Sequence, residues 1–429
     1  MSTRFSFGKT VIEVSVPDRF RSLLIKSRCA PSIQDVSTAL GAALDRPIAC
    51  EPLAALASGK TSAAISVCDI TRPAPNRITL PPLLGRLHQA VIPADAITIL
   101  IATGLHRQAT REEVDIIVGP EIAAKYRVVS HDARVLAQHR SLGATSRGTP
   151  VYIDERFVSA DLHITLGFVE QHLMLGFSGG RKLIAPGLAA QETIKVLHSP
   201  KFMREPLSKE GSITGNPLHD ELLEIARMAR HDFILDVTLT LDRQISGIFA
   251  GNPVKAHASA VEFLEATSLE RLAEPVDAVI TSAAGYPLDL TFYQSVKGIS
   301  AAQHMVKPGG RILLLGECAE GIGSAEFASR LERLNSYQGY LDEIRNAPVE
   351  IDQWQLEKLA LCGSRYELFL FTPGAARSKL GLLGSRAFDT LESAVHATLD
   401  GLPAGSRVAL IPEGPYTFAR AEEPVASKA

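Results

Sequence analysis

Residues 167–198 read GFVEQHLMLGFSGGRKLIAPGLAAQETIKVLH, and this stretch determines how the rest of the chain is interpreted. An apolar segment leads to His172, a Ser-Gly-Gly turn follows at 178–180, and Lys182 comes two residues later. A glycine turn that leads into a helix offers backbone N–H groups to an anion, because unpaired amides and the helix dipole both favour negative charge. The stretch therefore predicts a phosphate-binding turn beside a lysine.

A Walker A phosphate loop is the obvious alternative for this turn, and the neighbouring residues exclude it. That loop requires Gly immediately before its Lys and Ser or Thr immediately after it. Arg181 and Leu183 stand in those places. What remains is a different kind of site, in which Lys182 lies between two histidines of the same stretch, His172 and His198.

The composition is that of an ordinary soluble globular protein. The 429 residues carry a net charge of −3, which gives no electrostatic footprint for nucleic acid or an anionic membrane. The five cysteines are scattered without a CxxC pair, which argues against a disulfide framework or a structural zinc site and favours a reducing cytosol. The N-terminus lacks the apolar core of a signal peptide, and no apolar run is long enough to span a bilayer. We therefore expect a cytoplasmic protein with neither a nucleic-acid nor a membrane partner.

Short apolar strands alternate with helical segments, which predicts an α/β fold with largely parallel strand pairing. After a hairpin over 4–16, the strand candidates are Ala63–Val67, Ala96–Ala102, Tyr126–Ser130, Leu162–Leu166 and Phe233–Leu241. The pattern restarts near 270–276, and the later candidates are Val276–Ser282, Arg311–Leu315, Tyr366–Phe371 and Val408–Ile411. We predict two α/β domains, 1–272 and 277–405, with the cofactor and substrate in a cleft between them. Periodicity leaves open whether the tail 406–429 packs back on the first domain or frays.

Polar residues follow two of these strands, at the ends where the loops of a parallel sheet carry ligands. Asp69, Thr71 and Arg72 follow the first strand, and His106 follows the second. Arg72 offers a charged fork for a carboxylate or a developing alkoxide, and Asp69 offers a carboxylate to that arginine or to a ribose hydroxyl. Taken alone, the first group is more simply a turn with a surface ion pair, and a lone loop histidine is more often solvated.

Two further groups invite a functional interpretation. His131 and Asp132 are adjacent, but neighbours on a loop seldom face each other, so we interpret them as structural or supporting residues. Gln294 and Lys297 are three residues apart and fall on one helix face, where an amide and an ammonium group suit a carboxylate. In isolation, the simpler interpretation of Lys297 is an exposed helix residue.

Together these segments resemble the nickel-dependent lactate racemase family. The pattern E-P-H-x-x-x-G-[FY]-S-G-G-R-K-x-x-x-P-G, with a downstream histidine, matches 170–187 and His198, except that Gln171 replaces the usual proline. The resemblance extends from Asp69 to Trp354, with the motifs in the same order. The other matching segments are 69–73 (D-x-T-R-P), 103–107 (T-G-x-H-R) and 293–298 (Y-Q-x-x-K-G).

The resemblance implies a cofactor. Members of this family carry a nickel-pincer nucleotide (pyridinium-3,5-bisthiocarboxylic acid mononucleotide nickel), which here would be attached covalently at Lys182, with His198 as the nickel ligand. Sulfur donors with one imidazole suit planar nickel, and the second nitrogen of such an imidazole needs a partner of its own. The cofactor-binding residues implied in this way are Lys182, Asp69, Thr71, Ser178, Gly179 and Gly180.

The resemblance also implies a reaction, inversion of the C2 hydroxyl centre of a 2-hydroxy acid. A histidine takes the hydroxyl proton while hydride moves from C2 to the cofactor, and the 2-oxo acid is reduced again on its other face. Inversion needs a base for each hydroxyl orientation, and imidazole serves as acid and base near neutral pH. By resemblance these bases are His106 and His172, with Arg72 polarising the oxygen. The implied substrate-binding residues are Arg72, Tyr293, Gln294, Lys297 and Trp354.

The resemblance leaves open which acid is the substrate, and other classes of protein have to be considered. Lactate is the default substrate, with a sugar acid close behind, and the cofactor-synthesis enzymes are the expected protein partners. A nucleotide-dependent hydroxy acid dehydrogenase is a second possibility, but no strand–GxGxxG–helix unit with a following acidic residue is present. A non-catalytic carrier of nickel or nucleotide is a third, and it would have no use for two acid/base histidines.

Overall fold

Runs of aliphatic and β-branched residues form the central strands, which are buried at every position because helices cover both faces of a parallel sheet. The computed structural model describes residues 1–422. Its strands are β1 (Ser2–Phe7), β2 (Thr10–Ser15), β3 (Arg21–Leu24), β4 (Ala63–Cys68), β5 (Ile97–Ala102), β6 (Arg127–Ser130), β7 (His139–Ala144), β8 (Pro150–Asp154), β9 (Leu162–Phe168), β10 (Gln171–His172), β11 (Gly176–Phe177), β12 (Phe233–Leu239), β13 (Ile245–Gly251), β14 (Glu270–Leu272), β15 (Val276–Ser282), β16 (Val306–Leu315), β17 (Glu367–Phe371), β18 (Arg407–Ile411) and β19 (Ala419–Ala421).

The helices lie between these strands, as the alternating pattern predicts. They are α1 (Val36–Asp45), α2 (Leu53–Ala57), α3 (Asn76–Gln89), α4 (Arg111–Val118), α5 (Pro120–Lys125), α6 (Glu155–Val158), α7 (Gln191–Leu197), α8 (Pro200–Met203), α9 (Pro217–Met228), α10 (Pro253–Ser268), α11 (Phe292–Ala302), α12 (Ala325–Glu332), α13 (Tyr337–Glu343), α14 (Gln353–Gly363) and α15 (Leu391–Leu399).

The chain forms two compact units, and the first to be described spans Cys29–Thr267. Its six-stranded sheet has the order β13-β12-β9-β4-β5-β6. All neighbouring strands are parallel except the β12–β13 edge pair, which is antiparallel. The carboxyl ends of β4, β5 and β9 therefore lie side by side, and the loops that follow them meet at one edge of the sheet.

The other unit combines Met1–Arg28 with the described part of Ser268–Ala429. Its five-stranded sheet has the order β17-β16-β15-β18-β3, and every neighbouring pair is parallel. Strand β3, from the beginning of the chain, pairs with β18, in register between Arg21 and Arg407. The β1–β2 hairpin buries Phe5 and Phe7 in the same apolar cluster as Leu313.

These units correct the predicted domain boundaries of 1–272 and 277–405 at both ends. Residues 1–28 belong with the C-terminal part of the chain, and so does β18, which follows residue 405. Strand β19 pairs with β14 within the same unit, so the tail as far as residue 422 neither frays nor joins the first domain. Local alternation identifies a strand but carries no information about which sheet it joins. The rest of the predicted tail segment, 423–429, lies outside the described residues.

Candidate active site

The loops after β4 and β5 bring a carboxylate and an imidazole together. Asp69 follows β4 directly, and its Oδ2 accepts a hydrogen bond of 2.7 Å from Nδ1 of His106. The Thr71 hydroxyl donates to Oδ1 of the same carboxylate, also at 2.7 Å. Asp69 is 7% exposed, whereas the His106 side chain is about half exposed (51%). His106 and Thr71 are thus the hydrogen-bond partners of Asp69, Arg72 acts on it through its charge, and a contact with a ribose hydroxyl stays a prediction.

The hydrogen bonds determine which nitrogen of His106 carries the proton. Burial alone would raise the pKa of Asp69, but the hydrogen bonds and positive charges of His106, Thr71 and Arg72 hold it below its usual value. The carboxylate is therefore ionised at neutral pH and can only accept, so Nδ1 of His106 is the protonated nitrogen. In the neutral ring, Nε2 then has the lone pair of a base.

His172 lies in the short hairpin formed by β10 and β11, which forms with Gln171 in place of the family's proline. The backbone amides of Met174 and Leu175 donate to Nδ1 of His172, at 3.5 and 3.4 Å. These bonds are long, but both point to Nδ1 as the acceptor, so the neutral ring carries its proton on Nε2. His172 thus has the tautomer opposite to that of His106.

The turn at 178–180 is buried, and the amide of its first residue is paired. The Ser178 N–H donates to the Glu170 carbonyl at 2.8 Å, and the Ser178 hydroxyl accepts from the Glu170 N–H at 3.0 Å. Gly179 and Gly180 have positive φ angles of 84° and 44°, so glycine is required for the shape of the turn. The expectation of unpaired amides is wrong for Ser178, and phosphate binding by Ser178, Gly179 and Gly180 stays a prediction.

His198 has the protonation state of a metal ligand. It directly follows α7 and is 8% exposed, and its Nδ1–H donates to the Ile194 carbonyl at 2.8 Å. Burial and, to a smaller extent, the charge of Lys182 lower the pKa of His198 to about 4, against the raising effect of the Ile194 carbonyl. The ring is therefore neutral at pH 7, with the lone pair on Nε2, and Ile194 is the partner that such a ligand needs. These features fit the predicted role of His198.

Electrostatic effects connect the remaining predicted residues of this unit. Burial raises the pKa of the Cys68 thiol to about 12, and the charges of Arg72 and Lys182 both act against that rise. Lys182 also acts on His198, and Arg72 acts on Asp69. The backbones meet as well, since the Gly104 N–H donates to the Gly187 carbonyl at 3.0 Å. The structure thus brings the loops after β4 and β5 to the segment 178–182, which carries Lys182 and is called the lysine turn below.

The predicted substrate residues of the other unit lie on α11 and at the start of α14. Gln294 and Lys297 are both within α11, and Oε1 of Gln294 is buried without a hydrogen-bond partner among residues 1–422. The Tyr293 hydroxyl donates to Asp352 at 3.1 Å, and Trp354 also hydrogen-bonds to this hydroxyl. The Tyr293 hydroxyl is therefore held within its own unit. Substrate binding by these four residues stays a prediction.

His131 has the supporting position that we expected. It is fully buried, and its Nδ1 lies 3.2 Å from the Thr103 hydroxyl, which donates to the His131 carbonyl at 2.8 Å. Its sequence neighbour Asp132 accepts instead from the Arg134 amide at 3.0 Å. His131 thus braces the loop that begins at Thr103 and carries His106.

Sequence reasoning missed Asp236, a fully buried carboxyl in β12 that faces the lysine turn. Its signal was present, because FILDVTL places one charged residue inside an otherwise apolar strand. Among residues 1–422, no group of three or more His, Cys, Asp or Glu side chains is arranged to hold a metal ion. Within the same range, no helix is long and apolar enough to cross a membrane.

An α/β enzyme with polar side chains at the carboxyl ends of its strands is the class that this fold and site indicate. A family model described as the lactate racemase N-terminal domain matches residues 7–211, and one described as the lactate racemase C-terminal domain matches 272–417. The chain therefore belongs to the lactate racemase family. Lactate racemases are isomerases, so the predicted family and the predicted enzyme class are both confirmed.

Relatives over most of the chain support this assignment. The lactate racemase of Thermoanaerobacterium thermosaccharolyticum is 34% identical over 371 residues, which cover 85% of this chain and 87% of the relative. The lactate racemase of Lactiplantibacillus plantarum is 33% identical over 374 residues, which cover 86% of this chain and 88% of the relative.

Solved structures show the same fold. The lactate racemase apoprotein from T. thermosaccharolyticum matches with a TM-score of 0.90 at 31% identity, covering 98% of this chain and all of that one. A Thermotoga maritima protein matches with a TM-score of 0.63 at 16% identity, over 86% of this chain and 96% of that one, which is a likeness of fold alone. The predicted α/β fold is confirmed.

Proposed function

We propose that this protein racemises or epimerises a small 2-hydroxy acid with two imidazoles that carry their protons on different ring nitrogens. The pair of tautomers carries the proposal. Asp69 keeps the proton of His106 on Nδ1, which leaves a basic Nε2. The amides after His172 accommodate an unprotonated Nδ1, which leaves an Nε2–H donor. Inversion through a 2-oxo acid needs one group to take the hydroxyl proton and another to supply one.

For one enantiomer, Nε2 of His106 takes the hydroxyl proton, and Asp69 stabilises the imidazolium that forms. When the opposite configuration is made, His172 in its imidazolium form gives its Nε2 proton to the oxygen and returns to the neutral ring. The reverse direction exchanges these roles, which imidazole allows because both of its forms are accessible near neutral pH. Arg72, whose charge acts on Asp69 and Cys68, would stabilise negative charge that develops on the substrate oxygen.

The cofactor proposed is the nickel-pincer nucleotide, attached covalently at Lys182 with His198 as the protein's nickel ligand. The support is the neutral state of His198, whose Nδ1–H is held by Ile194, and the electrostatic effect of Lys182 on it. When bound, this group supplies an acceptor and donor for the hydride of C2. The phosphate-binding assignment of Ser178, Gly179 and Gly180 and the cofactor contacts of Asp69 and Thr71 remain part of the proposal.

The substrate proposed is lactate, with a sugar acid as the second candidate. Gln294 and Lys297 would hold the substrate carboxylate through one amide and one ammonium group, and Tyr293 and Trp354 would line that region. The predicted cleft between the two domains stays a prediction. A substrate difference of one or two methylenes changes binding by only about 1–3 kcal/mol, so the acid has to be identified by assay.

The first experiment measures the intact mass and nickel content of the protein after co-expression with the cofactor-synthesis enzymes. We expect a nucleotide adduct with about one nickel per chain, and its loss in Lys182→Ala. The matched control is Lys195→Ala, in the neighbouring helix α7, which should load normally. Folded protein with neither adduct nor nickel, from cells in which the pathway loads a known racemase, would exclude the proposed cofactor.

A second experiment separates the alternative functions. Loaded protein is incubated in deuterium oxide with single enantiomers of lactate and of sugar acids. We expect racemisation or epimerisation without deuterium at C2, because the hydride returns to the same carbon. Oxidation that depends on added NAD would indicate a dehydrogenase. Loading with no turnover of any acid, and no effect of His106→Ala or His172→Ala on the assayed function, would indicate a carrier.

A further inference from the structure

A buried acid without a role in the proposed reaction lies directly beneath the lysine turn. Asp236 is in the middle of β12, is fully buried, and pairs with Gly167 of the parallel strand β9. Neither of its carboxyl oxygens has a partner at hydrogen-bonding geometry among residues 1–422. A buried carboxyl without a hydrogen-bond partner lowers the stability of a protein. The presence of Asp236 at this position therefore needs an explanation.

Three glycines surround this carboxyl, and each leaves room for it. A Cβ on Gly179 would lie 2.6 Å from Oδ2 of Asp236, and one on Gly180 would lie 3.6 Å from the same atom. On the strand side, a Cβ on Gly167 would lie 3.3 Å from Oδ1. The turn at 179–180 thus rests on the carboxyl with no side chain between them. The contact is tightest at Gly179, where Asp236 excludes any side chain because a real Cβ does not come within 3.0 Å of another atom.

Charge links Asp236 to the same turn. Burial raises the pKa of Asp236 to about 7, while the Gly180 N–H and the guanidinium of Arg181 act in the opposite direction. Arg181 is itself buried, and it donates to the Leu175 and Phe177 carbonyls at 3.2 and 3.1 Å. His257 holds the turn from another side, with Nε2 lying 2.7 Å from the Ser178 carbonyl oxygen and 2.8 Å from Nη1 of Arg181.

The backbone of Lys182 depends on this turn. Its N–H donates to the Gly179 carbonyl at 3.1 Å, and its own carbonyl accepts from the Gly187 N–H, also at 3.1 Å. A shift of Gly179 or Gly180 would therefore shift Lys182. We propose that Asp236 is a positioning residue for Lys182, whose buried carboxyl supports the 179–180 turn and so determines where the lysine is presented for cofactor attachment. The inference rests on the proposed function only in taking Lys182 as the attachment point.

Hydrogen exchange of the cofactor-free protein tests the inference without any turnover. In Asp236→Ala, we expect amides of 178–187 to exchange at least tenfold faster, while those of β4 and β5 keep their wild-type rates. Asp236→Asn should restore slow exchange to within about threefold, because the amide keeps the shape and an acceptor oxygen. Asp232→Ala is the matched control. Asp232 accepts from the backbone and ring of His163 at the other end of the strand, so its loss should leave 178–187 unchanged.

Three results would overturn the inference. They are unchanged exchange of 178–187 in Asp236→Ala, equally faster exchange throughout the unit, and no rescue by Asp236→Asn. If Asp236→Ala does not fold, Gly179→Ala probes the same contact from the turn, since its methyl group would meet Oδ2. It should loosen 178–187 selectively, and unchanged exchange there would count against the inference.

A loading assay keeps the two proposals apart. The mass of the adduct at Lys182 is measured in the wild type and in Asp236→Ala under equal co-expression, with a tenfold lower loaded fraction expected in the variant. A wild type that never loads contradicts the proposed cofactor, but the exchange result still decides the role of Asp236. Normal loading of Asp236→Ala with a loosened turn would show that the lysine needs no such positioning, and the inference would fail.

Discussion

The carboxylate of Asp69 is the single group whose change should affect the acid/base chemistry most selectively. In Asp69→Asn, the amide no longer stabilises an imidazolium at His106 and can favour the wrong tautomer. We expect kcat to fall by on the order of 10²-fold, within the range of general acid–base contributions, with KM changed less than about threefold. Steady-state racemisation at pH 7, normalised to the loaded fraction, measures this.

Thr71→Val is the control for that experiment. It removes the hydroxyl that donates to the other oxygen of Asp69 and leaves the bond to His106 in place. The loss in kcat should therefore be at least tenfold smaller than in Asp69→Asn. Wild-type kcat in Asp69→Asn would show that the contact with His106 has no part in proton transfer.

His131 should make the stability of its unit depend on pH. Burial lowers its pKa to about 4 from the ordinary 6.5. The unfolded chain thus binds the proton more tightly, and stability falls as the pH falls from 6.5 towards 4. Between pH 7 and pH 5, linkage gives a loss of about 2 kcal/mol for such a group. His131→Gln should remove that part of the change.

Urea unfolding of both proteins at the two pH values measures this effect. The variant is expected to be less stable at both, so the difference between the pH values is the quantity that matters. Equal pH dependence in wild type and His131→Gln would contradict the prediction.

At the level of an element, the hairpin that carries His172 depends on a close backbone approach. Gly176 has φ 75°, and a Cβ there would lie 2.2 Å from the Ser212 carbonyl oxygen. Gly176→Ala should therefore cost more than the strain of a positive φ alone, which is about 1–3 kcal/mol, and should displace His172. We expect kcat to fall at least tenfold.

Gly148→Ala separates the two causes. Gly148 has φ 82° with no atom within 4 Å of the added Cβ, so it carries the conformational strain without the clash. Activity should be retained there, and urea unfolding should show the smaller destabilisation. Equal losses in both variants would mean that backbone strain, rather than contact with Ser212, dominates at Gly176.

The elements were largely predictable because apolar runs determine them. The predicted strand Ala63–Val67 is observed as Ala63–Cys68, and all of its side chains are buried. A strand that is buried on both faces is a continuous apolar run, which can be identified from the sequence alone. The apolar spacing in the sequence predicts a helix over Leu83–Ala90, whereas α3 begins at Asn76 and includes Pro81 and Pro82. Packing of its leucines in the core outweighs the lost hydrogen bonds there. Tertiary contact, which a local pattern does not contain, made that difference.

The site was predictable in its residue types and not in their pairings. Motif spacing pointed to Asp69 and His106, but only the fold shows that β4 and β5 are neighbours and that one residue holds the other. The sequence signal for Asp236 was weaker. A single acidic residue in an apolar strand does not indicate which segment of the chain packs against it. Which residues of neighbouring strands meet depends on the order of the strands in the sheet. A local sequence pattern does not contain that order.

At the scale of the molecule, the first 28 residues should be necessary for the unit that contains β18. They supply the edge strand β3 and bury Phe5 and Val14. A chain that begins at residue 29 should lose protection of 268–422 in limited proteolysis, with cleavage there at least tenfold faster. Peptides from 29–267 should remain protected, because that unit has its own core.

Restoring the segment elsewhere is the control. Joining residues 1–28 after residue 422 through a flexible linker of about 20 residues, which spans roughly 25 Å on average, should return the protection. Unchanged proteolysis of the shortened chain would show that β3 and the hairpin are dispensable.

The division of one unit between the two ends of the chain also has a consequence during synthesis on the ribosome. Residues 1–28 leave the ribosome before residues 29–422, but β18, the strand with which β3 pairs, is translated last among the strands of that sheet. At about 5–20 residues per second, the 239 residues of the other unit, 29–267, alone take roughly 12–48 s. Throughout that time Phe5, Phe7 and Val14 have no sheet to cover. The nascent chain therefore exposes an apolar hairpin while the middle unit is being made, and binding of residues 1–28 by a chaperone would protect it most in that interval.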